Sequence, residues 1–155
     1  EVIKLEDIIK VGEKAPDFTL KDQSGADVAL SDFHGKKVLL SWHPLAWTSV
    51  CTDQMRDLER NYRRFEEKDV VVLGMSVDSA PSKSAWAKIL LLNNVRILAD
   101  FHPLGKVAKA YGVFSEEYGA SKRVNILIDE KGNVSWVKKY EIRMLPDVKE
   151  VIAQL

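Results

Sequence analysis

The stretch VLLSWHPLAWTSVCTDQM, residues 38–55, joins an unbroken apolar-rich run to a segment with a different period, and that change of period decides the fold. Residues 38–43 have the composition of a strand covered on both faces. Pro44 stops it, because proline cannot donate to a strand ladder. Beyond a short loop, Cys51, Met55, Leu58, Tyr62 and Phe65 recur at spacings of four and three, which is one face of a helix. The spacing predicts a helix over 49–67 with Cys51 at the head of its buried stripe. A buried strand that runs through a short loop into an amphipathic helix is the repeating step of α/β layers.

The rest of the chain continues the alternation. VVVLGMSVD at 70–78 reads as a second strand, RILAD at 96–100 as a weaker third and RVNILID at 123–129 as a fourth. Helical patterns fall at 82–94, 104–111 and 146–155, with Tyr111-Gly112 as a helix stop. DFTLKDQSGADVAL, residues 17–30, carries two half-apolar runs around Ser24-Gly25 and predicts an N-terminal β-hairpin; VSWVKKY after the Gly132 turn predicts a second one. The expectation is an α/β fold with a mixed central β-sheet flanked by helices. With no repeat, low-complexity segment or linker, residues 1–155 are expected to form one domain. Ligands in such sheets bind at the carboxyl ends of the parallel strands, where the loop before Cys51 falls.

Composition narrows the function. Lysine plus arginine and aspartate plus glutamate number 23 each, so the net charge is zero and no electrostatic reason exists to expect a nucleic acid or an anionic membrane as partner. No apolar run approaches the roughly 20 residues of a membrane span, and EVIKLEDIIK at the start lacks the basic-then-apolar pattern of a secretion signal, so a soluble cytoplasmic protein is expected. A single cysteine excludes an intrachain disulfide and a cysteine-rich zinc site, and it suits a reducing compartment. His34, His43 and His102 lack metal-ligand spacing, so neither metal nor cofactor is expected. RDLERNYRRFEEKD, residues 56–69, reads as a solvated helix face with Glu59 and Arg63 able to pair at i, i+4. Trp86, Ile89 and Leu90 read as core or subunit contact.

Cys51 itself has two readings. A lone cysteine on an apolar helical face is more often an inert small hydrophobe. In the first turn of a helix, however, half covered by protein and close to the positive end of the dipole, it is also placed where a thiolate is favoured. A nearby cation would complete that environment, and spacing does not say which lysine or arginine supplies it.

The segment PLAWTSVC, residues 44–51, resembles the active-site signature of the peroxiredoxins, the AhpC/TSA-type thiol peroxidases: proline, three residues, threonine or serine, two residues, cysteine. VGEKAPDFTL at 11–20 is similar to the family's first strand, DFHPLGKVAKAYGV at 100–113 to a later helix, and GASKRVNILIDEKGNV at 119–134 to the segment carrying its active-site arginine, which falls on Arg123. The resemblance implies a thioredoxin-like fold and a cysteine that attacks the O–O bond of hydrogen peroxide or an alkyl hydroperoxide. It further implies Cys51 as nucleophile, with the Thr48 hydroxyl, the Cys51 backbone N–H and the Arg123 guanidinium as donors to the departing oxygen, and Pro44 shielding the thiolate from water.

Departures from the family pattern set further expectations. His43 stands before the proline, as in members that work with a single cysteine. Gln54 replaces a common glutamate that holds the arginine, so Arg123 is expected to be held less firmly. Trp47 keeps a large apolar wall where phenylalanine is frequent. Arg56 occupies a position where some relatives keep a resolving cysteine, so the oxidised Cys51 must be recycled by an external thiol or redoxin. An apolar N-terminal segment, VIKL and DII, together with family habit, suggests a homodimer. Two rivals are a Cys–His hydrolase using His43 or His102 as base, and a thioredoxin-fold binding protein serving as peroxide sensor or chaperone-like oligomer with little turnover.

Overall fold

Residues 8–155 are described by the computed structural model. Among them the strands are β1 (Thr19–Lys21), β2 (Asp27–Ala29), β3 (Lys37–Trp42), β4 (Val70–Ser76), β5 (Arg96–Ala99), β6 (Phe114–Ser115), β7 (Ala120–Ser121), β8 (Arg123–Ile128) and β9 (Val134–Tyr140). The α-helices are α1 (Ser49–Arg60), α2 (Tyr62–Glu67), α3 (Ala80–Leu90), α4 (Lys106–Ala110) and α5 (Val148–Ile152). Seven strands make one sheet in the order β2-β1-β5-β4-β3-β8-β9, and β6 and β7 form a separate two-stranded ribbon. The central strands β3, β4 and β5 run parallel, β8 pairs antiparallel with β3, and β9 and the β1–β2 hairpin extend the two edges antiparallel.

The two-residue period of the central strands separates two cores. Val38, Leu40 and Trp42 of β3 join Leu73, Met75, Val124, Ile126 and Tyr111 on one face, whereas Leu39 joins Met55, Leu58, Phe65, Trp86, Ile97 and Leu127 on the other. Cys51 belongs to the second core. The same alternation puts Ser41 on the Leu39 face and Asn125 and Arg123 on the Leu127 face, so that polar side chains of β3 and β8 meet the helix that carries Cys51.

Local chemistry sets the element ends. In the β1–β2 turn the Asp22 carboxylate accepts the Ser24 and Ala26 N–H groups and the Ser24 hydroxyl, while Gly25 takes a positive φ of 84°. The expected single helix over 49–67 is divided at Asn61, whose amide donates to the Asp57 carbonyl at 2.8 Å and competes with the helical ladder. α3 begins earlier than the periodicity predicts because Ser79 caps it and Pro81 sits in its first turn; it ends at Leu91 in a left-handed conformation. Glu59 does not spend its carboxylate on Arg63 as expected. It accepts the N–H groups of Asn94 and Val95 and the Asn94 amide, tying the loop after α3 to α1.

The apolar N-terminal segment is only in part where the sequence suggests a subunit contact. VIKL, residues 2–5, and Asp7 lie outside the described residues. Ile9 is buried, donates its N–H to the Tyr111 carbonyl, and with the partly buried Ile8 packs on the first core, so these two side chains are spent on the interior of the subunit.

Candidate active site

The loop between β3 and α1 is tied down at several points. His43 N–H donates to Met75 O at 2.9 Å, Ser121 Oγ to His43 O at 2.8 Å, and Ala46 N–H to the Asp78 carboxylate at 2.8 Å. Trp47 has a φ of 74°, a left-handed conformation that a side chain of that size seldom adopts, and its indole N–H donates to Ser82 Oγ at 3.0 Å. Thr48 is the N-cap of α1, and the first helical hydrogen bond runs from Thr52 N–H to Thr48 O. The N–H groups of Ser49, Val50 and Cys51 therefore precede the ladder and point out of the helix start.

Cys51, expected half covered, is wholly enclosed, with 0% of its surface exposed. Ala46, Met55 and Trp86 belong to the same buried cluster. Arg123 Nη1 lies 3.3 Å from the Cys51 sulfur. The same nitrogen donates to Gln54 Oε1 at 2.7 Å, and Nε and Nη2 both donate to the Ile142 carbonyl, at 3.1 and 2.8 Å. Gln54 is oriented in turn by its own amide, which donates to Ser41 Oγ and Trp42 O, and Ser41 donates to Asn125 Oδ1. Gln54 meets Arg123 as an acceptor without charge, and the Ile142 carbonyl holds the guanidinium from a second side.

The electrostatics follow from that inventory. Arg123 is 2% exposed, and its oxygen acceptors are neutral. Removing a guanidinium from water costs several kcal/mol unless an anion offsets it. A thiolate at the observed 3.3 Å supplies on the order of 5 kcal/mol of attraction at an effective dielectric of about 20. The Cys51 sulfur thus lies where an anion would offset the Arg123 charge.

The other predicted residues are placed as follows. Thr48 Oγ1 gives its single proton to Leu45 O at 2.8 Å, so its free lone pairs make it an acceptor, whereas the sequence reading made it a donor. Pro44 lies half-buried directly after His43, at the start of the loop. Trp47 is 53% exposed and leans over the start of α3. His43 is buried, tilted against Trp86 with ring centroids 5.5 Å apart, and its Nδ1 lies 3.3 Å from Ser41 O. Burial, reinforced by the charges of Lys83 and Arg123, holds His43 well below the ordinary histidine range, so the ring is neutral. Among the described residues neither His43 nor His102 is hydrogen-bonded to Cys51, as a Cys–His hydrolase requires.

Sequence reasoning misses Lys83, a buried lysine of α3, and the Ile142 carbonyl. A lysine on the stripe of Trp86, Ala87 and Leu90 is the available signal for the first; nothing local marks the second.

The AhpC/TSA family profile matches residues 11–137. The chain is a peroxiredoxin of that family. Alkyl hydroperoxide reductase E of Mycobacterium bovis is 36% identical over 132 residues, 84% of this chain and 86% of that one. Peroxiredoxin Bcp of Escherichia coli is 35% identical over 135 residues, 83% and 85% of the two chains. The crystal structure of the reduced 2-Cys peroxiredoxin of Plasmodium vivax superposes with a TM-score of 0.84 at 30% identity, covering 93% of this chain and 79% of that one. The peroxiredoxin has the thioredoxin-like fold, and its activity is thiol-dependent peroxide reduction. Its single cysteine fits the one-cysteine type.

Proposed function

We propose that the Cys51 thiolate reduces hydrogen peroxide and alkyl hydroperoxides, and that the site works through Arg123, Thr48 and Pro44, with His43, Trp47 and Gln54 shaping its walls. The observation that carries this reading is the Arg123 guanidinium 3.3 Å from the Cys51 sulfur, with its oxygen acceptors all neutral. The sulfur attacks the distal peroxide oxygen, an S–O bond forms as the O–O bond breaks, and the departing oxygen leaves as water or alcohol with the proton of the hydroperoxide. Thr48 Oγ1 is available to receive that proton in passage. Arg123 and the Cys51 N–H stabilise the charge that moves from sulfur to the departing oxygen. Gln54 holds Arg123 in place, and Pro44 keeps water from the thiolate.

The sulfenate left on sulfur takes a proton from water to become the sulfenic acid, which condenses with an external thiol, releasing water, and a second thiol frees Cys51 as the mixed disulfide becomes a disulfide of the reductant. In this reading residues 1–155 act as one domain, in a homodimer, in the cytoplasm, with a small thiol or a redoxin as electron donor.

Peroxide consumption by wild type and Cys51→Ser, with thioredoxin, glutaredoxin and small thiols supplied in turn, tests the reading. Wild type turns over with at least one donor, and Cys51→Ser keeps its circular dichroism but less than about 1% of the rate. Residual activity above that level overturns the assignment of Cys51. One equivalent of peroxide without reductant adds a single oxygen to the protein mass, which dithiothreitol reverses; a Cys51–Cys51 linked dimer in its place overturns the one-cysteine cycle. A monomer by light scattering at micromolar concentration overturns the dimer.

A further inference from the structure

Ser41 of β3 and Asn125 of β8 are direct cross-strand partners, and Tyr140 of β9 stands opposite Arg123, diagonally across from Asn125. All three are buried, and the two-residue period puts them on the side of the sheet that carries Arg123. Their side chains continue the bonds of Gln54 outward. Gln54 Nε2 lies 2.8 Å from Ser41 Oγ, Ser41 Oγ 2.7 Å from Asn125 Oδ1, Asn125 Nδ2 3.4 Å from Tyr140 Oη, and Tyr140 Oη 3.4 Å from the Glu150 carboxylate of α5. Glu150 is partly exposed and pairs with Lys138 at 2.7 Å.

Donor chemistry allows this chain one direction. A guanidinium only donates, so Gln54 turns its oxygen to Arg123 and its NH2 to Ser41. Ser41 accepts there and has one proton to give, which goes to Asn125. Asn125 therefore faces Tyr140 with its NH2, and Tyr140 gives its own proton to Glu150, which as a carboxylate only accepts. Burial first, and then the charge of Glu150, hold Tyr140 up at about 12 against the Asn125 hydrogen bond, so the phenol keeps that proton.

We propose that Ser41, Asn125, Tyr140 and Glu150 are positioning residues for Arg123: a one-way chain of hydrogen bonds that holds the Gln54 oxygen toward the guanidinium and ends on the carboxylate of α5. A cation heads the chain and an anion closes it, so each bond polarises the next in the same sense. The oxygen acceptors in contact with Arg123 are neutral, and Glu150 supplies the negative end from a distance. The four residues act through Gln54, not on the peroxide. This rests on the reading of Arg123 as the group that assists attack by Cys51.

Stopped-flow peroxide attack on reduced protein tests the chain with two variants that change few atoms. Tyr140→Phe removes one oxygen and leaves the ring. Glu150→Gln keeps the side chain's shape, but its oxygen turns to Lys138, which only donates, and its NH2 confronts Tyr140 and reverses the last link. Each slows attack by about threefold, and the two together slow it no further. In a Gln54→Ala background, where the chain no longer reaches Arg123, neither variant alters the rate. A side chain that only stabilised the fold would act alike in both backgrounds. An unchanged rate in Tyr140→Phe, or the same loss with and without Gln54, overturns the proposal. The side-chain NH2 signals of Gln54 in NMR also shift in Tyr140→Phe, and unmoved signals overturn it as well. That readout needs no turnover, so a wild type that fails to consume peroxide overturns the catalytic reading while the Gln54 signals still decide the chain.

Discussion

Asp22, in the β1–β2 turn, and Arg123, on β8, are charged side chains with almost no exposed surface, held in opposite ways. One oxygen of Asp22 accepts hydrogen bonds from Ser24 and Ala26 of its own turn, and the other lies 3.9 Å from Arg96 Nε. The demands of that carboxylate are met locally. Arg123 receives its geometry from Gln54 and Ile142 but no negative charge from either, and the position where an anion belongs is filled by a thiol. The satisfied charge shapes a turn. The charge whose oxygen acceptors are all neutral stands beside the sulfur on which the proposed chemistry takes place.

Substitutions at the two places sharpen the contrast. The largest effect belongs to Arg123→Lys, which keeps a cation but loses the planar fork that reaches Gln54, Ile142 and Cys51 together. Stopped-flow peroxide attack slows by about a hundredfold or more. An unchanged rate constant would move the role of cation to another residue. Gln54→Ala leaves the guanidinium intact but removes its amide acceptor and the link to Ser41, and attack slows by about tenfold while secondary structure persists. Asp22→Ala marks the other side of the comparison. It leaves donors of the turn unpaired and costs about 1–3 kcal/mol in urea unfolding, with the peroxide rate constant unaltered. A kinetic defect in that variant would break the distinction.

Acid sharpens it once more. Burial works against the Asp22 carboxylate, but the Ser24 hydroxyl, the Ser24 and Ala26 N–H groups and Arg96 outweigh it and hold Asp22 below the usual carboxylate range. Between the folded and unfolded values the unfolded chain binds more protons. The stability Asp22 contributes is therefore complete above about pH 4 and lost as the pH falls further. Between about pH 7 and about pH 3, wild type loses more stability than Asp22→Ala; equal losses would show that the turn does not hold its charge.

The parts of this molecule legible in the sequence are those governed by short-range periodicity. β3 and α1 follow from the apolar pattern, and the signature around Cys51 points to the loop that the structure places at the end of β3. Separation along the chain hides the rest. Cys51 and Arg123 are 72 residues apart, and before the fold only a family resemblance linked them. Local patterns do not show that Thr48 spends its proton on Leu45, that the Ile142 carbonyl anchors Arg123, or that the lysine at 83 points inward. Each depends on a contact that periodicity does not register. Asn61 is a different case: its amide interrupts a helix whose apolar stripe continues through Tyr62 and Phe65.

The chain has four tryptophans, and their surroundings differ enough to be told apart with light. Trp42 and Trp86 are enclosed, Trp136 is partly covered, and Trp47 projects into solvent immediately before the N-cap of α1. An indole in water emits at longer wavelength than one in a dry interior and is open to collisional quenchers. The emission of Trp47 therefore separates from that of the enclosed rings without any label. Its N–H bond to Ser82 ties that colour to the packing of the loop against α3, so the protein carries an optical gauge beside the helix start that presents its thiol.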